Sequence, residues 1–241
     1  MSQVTAMNAQ PAPYLAAQWA EVRQRVDQAC HAAGRDPSEV AVLPVSKTFG
    51  AEVVRQAVGL GLHRFGENKV QEIRAKAEVL ADCGIDWVLI GHLQTNKARD
   101  VARLVAEVQS LDRWELAEAL DRRLQAEGRA IDVLIQLKTA AEDSKYGLPP
   151  EQLPDLLERL KACHSLRPRG LMTLATQSDD PATVRGCFRS LREWRERMQQ
   201  AGHTLPRLSM GMSGDYAAAI AEGATEVRIG TAIFGARSYP A

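Results

Sequence analysis

Apolar residues repeat along this chain with two different periods. From about residue 40 onward, short apolar runs alternate with longer stretches in which apolar positions recur every three or four residues, the signature of strands alternating with helices. Eight runs read as strands: AVLPVSK (41–47), HRFGEN (63–68), DWVLIG (86–91), EVQSLD (107–112), DVLIQLK (132–138), PRGLMTL (168–174), RLSMG (207–211) and EVRIGT (226–231). Between them, Val70, Ile73, Ala77 and Leu80 share a helical face, as do Ala117, Leu120 and Leu124, and again Val184, Phe188, Leu191 and Met198. Upstream, Leu15, Trp19, Val22, Val26 and Cys30 recur at helical spacing, and Gly34 with Pro37 supplies a stop, which predicts an amphipathic helix over 12–34. Asp112 with Glu115 resembles a capping box, and Asp180 before Pro181 matches an N-cap with proline at the first helical position. Eight strand–helix units within roughly 200 residues predict a single (β/α)8 TIM barrel with an extra N-terminal helix rather than an open doubly wound sheet. No linker or low-complexity segment interrupts the pattern, so 1–241 is expected to be one domain, its helix at 12–34 and its barrel at 40–237.

Composition narrows the partners. With 30 basic and 30 acidic residues the 241-residue chain has no broad positive field to draw it to nucleic acid or to an anionic membrane, which favours a small-molecule ligand. The four cysteines, Cys30, Cys83, Cys163 and Cys187, lie far apart and suit reduced thiols. The first twenty residues hold no basic n-region, and no run of about 18 apolar residues occurs, so a cytoplasmic location is expected. The five histidines form no metal-ligand spacing, and no metal is expected.

In such a barrel, function collects at the C-terminal ends of the strands. Side chains alternate along a strand, so Leu43, Val45 and Lys47 point the same way and a lysine caps an apolar inward face. Partial burial favours its neutral amine, the form that condenses with an aldehyde; the alternative is a lysine snorkelling at a strand end. MGMSGD (210–215) and RIGTAIFGAR (228–237) follow the seventh strand and span the end of the eighth, where barrels commonly place a phosphate. Ser213 offers a hydroxyl, while Gly214, Gly230 and Thr231 can turn N–H groups toward an anion; as turn formers and a helix cap they would carry no ligand. Arg228 shares the strand face of Gly230 and points inward beside that site, either toward a ligand or toward a carboxylate at the barrel mouth. Asn68 could hydrogen-bond a ligand or serve as a turn residue, and His92 could be an acid or base but reads more simply as structural.

Taken in order, VSKTFG at 45, RFGENKVQE at 64, WVLIGHLQTNK at 87, EDSKYG at 142, RGLMTLAT at 169, LSMGMSGDYAAAI at 208 and VRIGTAIFGAR at 227 resemble the pyridoxal phosphate homeostasis family. That family is similar in fold to the barrel domain of alanine racemase, the fold-type III proteins that use pyridoxal 5′-phosphate (PLP). The resemblance implies PLP as cofactor, with Lys47 as the Schiff-base lysine and Arg228 facing the pyridine nitrogen. It places the phosphate on Ser213, Gly230 and Thr231 and puts Asn68 of the FGEN motif near the cofactor. One departure is Lys138, which stands where family members usually carry an asparagine; the fifth strand is therefore assigned no ligand. Alanine racemases carry a further β domain whose tyrosine serves as second acid/base, and this chain is expected to lack it.

Three functions compete at this point. The leading one is a PLP-binding homeostasis protein, monomeric and not an enzyme, that sequesters the aldehyde and delivers it to apo-enzymes. The second is a single-domain racemase-like PLP enzyme using Lys47 with His92 or Lys145 as bases. The third is a barrel that binds a phosphorylated metabolite with no imine at all. Nucleic-acid binding ranks last because charge is balanced and no basic aromatic patch occurs.

Overall fold

The structure, a computed structural model, describes residues 12–140 and 146–235; Lys145, most of the EDSKYG motif and the last two residues of the expected barrel, 236 and 237, lie outside the described residues. All eight expected strands form: β1 (Ala41–Pro44), β2 (Arg64–Glu67), β3 (Asp86–Leu89), β4 (Val105–Leu111), β5 (Ile131–Gln136), β6 (Leu166–Met172), β7 (Arg207–Ser209) and β8 (Glu226–Ile229). The helices are α1 (Ala12–Ala32), α2 (Ala51–Val58), α3 (Val70–Val79), α4 (Ala98–Leu104), α5 (Trp114–Ala126), α6 (Leu153–Leu160), α7 (Pro181–Gln200), α8 (Tyr216–Ala221) and α9 (Thr231–Phe234). Every strand pairing is parallel, in the order β1-β8-β7-β6-β5-β4-β3-β2. A parallel bridge between Val45 and Gly66, with Ser46 N–H donating to Gly66 O at 3.0 Å, joins β1 to β2 and closes the barrel. The predicted (β/α)8 barrel is what forms, and α1 packs across α2, α8 and α9 where its first and last units meet.

The strand alternation divides the interior in two. Phe65, Trp87, Leu89, Val108, Val133, Ile135, Leu171, Leu208, Val227 and Ile229 face outward into one annular core with Val54, Ile73, Leu116, Leu120, Phe188 and Leu191 of the helices. The expected helical faces are thus the buried ones, with Val26 and Cys30 of α1 added to the same core. Facing inward, Leu43 and Val45 pack with Ile90 around Gly66, whose Cβ would lie 3.2 Å from each of the first two. Toward the N-terminal ends of the strands the interior is ionic: Arg64, Glu107, Arg207 and Glu226 form two crossed pairs in which each guanidinium reaches both carboxylates.

Asp180 caps α7 as expected, accepting from the Ala182 and Thr183 N–H groups at 3.1 Å each. The capping box expected at Asp112 and Glu115 does not form. The N-cap of α5 is Arg113, and the Asp112 carboxylate instead accepts from Arg113 Nη1 at 2.5 Å and lies 3.4 Å from His92 Nδ1. The charged Arg113 takes Asp112 Oδ1 in place of a backbone amide. The four cysteines are free, Cys30 and Cys187 buried in the core and Cys83 and Cys163 partly exposed. Among the described residues, no helix is long and apolar enough to cross a membrane, and no cluster of three His, Cys, Asp or Glu side chains could hold a metal ion.

Candidate functional site

One cavity of about 550 Å³ opens at the C-terminal ends of the strands, and its lining brings together the seven residues expected to hold the ligand, Lys47, Asn68, Ser213, Gly214, Arg228, Gly230 and Thr231, with His92. A groove of similar size between α3 and α4, lined by Arg74, Glu78, Arg99 and Asp100, lies on the outer helix layer instead. Lys47 follows β1 on the inward parity set by Leu43 and Val45 and is half-buried at the cavity wall. Gly230 and Thr231 lie at the turn from β8 into α9. A Cβ at Gly230 would come within 2.9 Å of Val45 O, so packing of β8 on β1 also demands glycine there. Gly230 O accepts from the Ile233 and Phe234 N–H groups at 2.9 Å. The α9 N-terminus is therefore directed at the cavity wall that Ser213 and Gly214 complete from the loop after β7. Ser213 does not cap α8, because that helix starts at Tyr216 behind an Asp215 N-cap.

Arg228 is 3% exposed. Among the described residues no carboxylate at the barrel mouth pairs with it, the alternative left open by spacing: its Nη1 donates to Ser209 Oγ and its Nη2 to Thr173 O, both at 2.7 Å. Burial lowers its pKa to about 10, opposed by the more distant Glu226 and Asp215, so the guanidinium stays charged at neutral pH. Ser209 Oγ passes its own proton to Gln109 Oε1 at 2.7 Å, and Gln109 Nε2 donates to Glu107 at 2.7 Å and to Glu226 at 2.5 Å. A continuous hydrogen-bonded chain therefore runs from the cavity floor to the ionic base of the barrel.

Other lining residues went unnoticed in the sequence. Gln136 is on β5 with the inward parity of Leu134, and its Nε2 donates to Tyr146 O at 2.8 Å. The fifth strand thus reaches the cavity, through Gln136 rather than Lys138. Tyr146 stacks on His92, ring centroids 3.8 Å apart and planes 15° from parallel, and together they wall one side of the mouth. Parity could have found Gln136; nothing local signals Tyr146.

An amine, two glycine-containing turns and a buried guanidinium meet on one cavity at the C-terminal ends of the strands of a parallel (β/α)8 barrel. The family model described as "Alanine racemase, N-terminal domain" matches residues 15–238. Curated relatives named pyridoxal phosphate homeostasis protein include one from Aquifex aeolicus, 42% identical over 219 residues, covering 90% of this chain and 96% of the relative. Another, from Pseudomonas aeruginosa, is 44% identical over 222 residues, covering 92% and 95%. The chain belongs to the alanine racemase N-terminal domain family and, within it, to the pyridoxal phosphate homeostasis proteins. Among solved structures, PipY of Synechococcus elongatus with PLP bound superposes with a TM-score of 0.81 at 35% identity, covering 92% of this chain and all of that one. Alanine racemase of Clostridium difficile shares the fold, with a TM-score of 0.72 at 14% identity, and this chain spans 58% of it.

Proposed function

We propose that this protein binds PLP for intracellular PLP homeostasis, holding it as a Schiff base on Lys47 and releasing it to apo-enzymes rather than turning over a substrate. The observation that carries this reading is the meeting of Lys47, the Ser213–Gly214 and Gly230–Thr231 turns, and Arg228 on one cavity. In support, the homologues are named for PLP homeostasis and PipY has been solved with PLP. The donor set fits the group: an amine for an aldehyde, hydroxyl and backbone donors for a phosphate, and Arg228 for the ring nitrogen, with Asn68 alongside. When bound, PLP supplies the aldehyde and a conjugated ring that withdraws electrons.

The chain's own residues bias that chemistry toward retention. Lys47 supplies the reacting amine from the cavity wall that it shares with Val45 and Ile90. Arg228, charged and locked by Ser209 and Thr173, donates hydrogen bonds and has no proton-accepting atom. It therefore leaves a facing pyridine nitrogen unprotonated, which weakens carbanion chemistry without impeding imine formation. We read the chain as a single cytoplasmic domain acting as a monomer, its recipients being apo PLP enzymes.

The test is the visible absorption spectrum of purified wild type and Lys47→Ala with added PLP, before and after borohydride, with peptide mapping of the reduced adduct. The proposal expects a band in wild type, lost in the variant and fixed by reduction onto Lys47. A wild-type protein that stays colourless with PLP, or an adduct mapped to another lysine, rules it out.

A further inference from the structure

The RFGENKVQE segment brings more to the site than Asn68. Glu67 ends β2 facing outward, Glu72 lies in the first turn of α3, and Lys76 stands one turn further along the same helix. Lys76 is 6% exposed, and its ammonium donates to Ser46 O at 2.8 Å and to Glu67 Oε1 at 2.5 Å, with Glu72 Oε2 at 3.8 Å. Ser46 Oγ donates to the same Glu67 oxygen at 2.6 Å, and Ser46 N–H is already committed to Gly66 O. Glu72 Oε2 accepts from Thr48 N–H at 2.7 Å.

These partners bracket Lys47. The peptide group before it is held at its carbonyl by Lys76, and the peptide group after it is held at its N–H by Glu72, both from one face of α3. Thr48 is the only non-glycine among the described residues with a left-handed backbone, at φ +71. A β-branched side chain disfavours that conformation, so the turn after Lys47, closed internally by the Phe49 N–H on Ser46 O at 3.1 Å, is steadied further by an external tie. A charged acceptor on the amide of the strained residue is such a tie. Without it the chain relaxes at the residue that sets where the lysine stem leaves the wall.

We infer that Lys76 and Glu72 are positioning residues that clamp the main chain on both sides of Lys47 and so present its amine to an incoming aldehyde. The inference rests on the reading of Lys47 as the reacting amine. In that step the Nζ lone pair adds to the aldehyde carbon, a C=N bond replaces C=O, and the oxygen leaves as water with both amine protons. The clamp touches neither reactant; it restricts the orientations Lys47 samples, and orientation is a direct contribution to rate.

Four variants test it: Glu72→Ala, Glu72→Gln, the double variant Glu72→Ala with Thr48→Gly, and Lys76→Met. The rate of PLP capture at Lys47 is followed by borohydride quench and peptide mapping, and amide exchange at Thr48 is followed in the protein without PLP. Glu72→Ala is expected to slow capture by about tenfold, the equivalent of one charge-assisted hydrogen bond, and to speed exchange at Thr48. Glu72→Gln keeps an acceptor and is expected to restore most of the rate. Glycine at 48 adopts the left-handed conformation without penalty and is expected to recover part of the loss in the Glu72→Ala background. Lys76→Met, which leaves the Ser46 carbonyl with the Phe49 N–H at 3.1 Å, is expected to slow capture with the Thr48 amide still protected.

Glu72→Ala with wild-type capture and wild-type exchange overturns the clamp. So does a Glu72→Gln variant as slow as Glu72→Ala, because an acceptor on the Thr48 N–H would then contribute nothing to capture. If a variant unfolds, the Glu72→Gln protein and the exchange of Thr48 in wild type still decide. Wild type that captures no PLP on Lys47 removes the parent reading alone, and Thr48 exchange continues to report on the clamp.

Discussion

The ionic base of the barrel makes a prediction that can be worked through from its geometry. Glu226 accepts from Arg64 Nη1 at 2.5 Å, Arg207 Nη2 at 2.9 Å and Gln109 Nε2 at 2.5 Å, in a site where it is 1% exposed. Burial pushes its carboxyl up, but Arg64, Arg207 and the Gln109 hydrogen bond outweigh that and hold it below the ordinary value of 4.5. Glu226→Gln keeps the shape but leaves two guanidinium groups facing one carboxylate and puts an amide N–H₂ among donors. Breaking a buried ion pair from one side costs about 3–5 kcal/mol. Arg64 and Arg207 side chains are 33% and 25% exposed and keep Glu107, which argues for the lower end, about 3 kcal/mol. For a chain of this length that lowers Tm by about 6–12 °C. Because the folded-state value is depressed, the contribution of Glu226 is complete above 4.5 and is lost as pH falls through the lower folded value. The assay is urea unfolding of wild type and Glu226→Gln without PLP, repeated from neutral pH down through the carboxylate range. The gap should be full at neutral pH and close on acidification, since protonation makes wild type resemble the variant. A gap that is absent at pH 7, or that persists unchanged in acid, refutes the assignment.

Gly91→Ala should destabilise the protein by about 3 kcal/mol in urea unfolding, since its Cβ would lie 2.1 Å from Asn68 O and 2.8 Å from two further Asn68 backbone atoms, which cannot swing aside as a side chain would; wild-type stability would contradict the close packing of these loops. Gly186→Ala should do the reverse and stabilise by about 0.5–1 kcal/mol, because Gly186 lies inside α7 with nothing within 4 Å of the new methyl group; a lower urea midpoint would show hidden crowding. Burial, then Asp121 and Glu118, push the Cys163 thiol up to about 11, so at pH 8 iodoacetamide should modify it far more slowly than a free thiol in the unfolded chain, with the rate still rising past pH 10. Equal rates in folded and unfolded protein would refute that.

How much was legible in the sequence follows from what each signal encodes. All eight strands were placed from their apolar runs, yet β4 starts at Val105, two residues before the expected boundary, because α4 ends at Leu104 and passes into the strand with no turn residue between. Lys47 and Arg228 were found by parity, which survives in the structure because a strand cannot turn one side chain without turning its neighbours. The ionic base was missed although the same parity pointed to it: Arg64, Glu107, Arg207 and Glu226 each stand two residues before Gly66, Gln109, Ser209 and Arg228. Charges at strand starts read as solvated ends until closure brings four of them together. Tyr146 meets His92 only through the path of the loop after β5, which no local pattern specifies.

The division of the barrel interior bears on the proposal that this chain holds PLP rather than turning over a substrate with it. Arg228 lies where the ionic base ends and the cavity begins, tied downward through Ser209 and Gln109 to Glu107 and Glu226. A carboxylate in that position would accept a hydrogen bond from a protonated pyridine ring and so strengthen the ring as an electron sink; a guanidinium, which only donates, cannot. The carboxylates of the interior, Glu107 and Glu226, instead pair with Arg64 and Arg207 at the far end of the chain of hydrogen bonds. On the proposed reading, the barrel keeps its fixed positive charge beside the ring and its negative charge below. This arrangement leaves imine exchange at Lys47 intact while giving a substrate carbanion little stabilisation. Retention and release then depend on the lysine and the phosphate turns, the two parts of the site that a transfer to an apo-enzyme must undo.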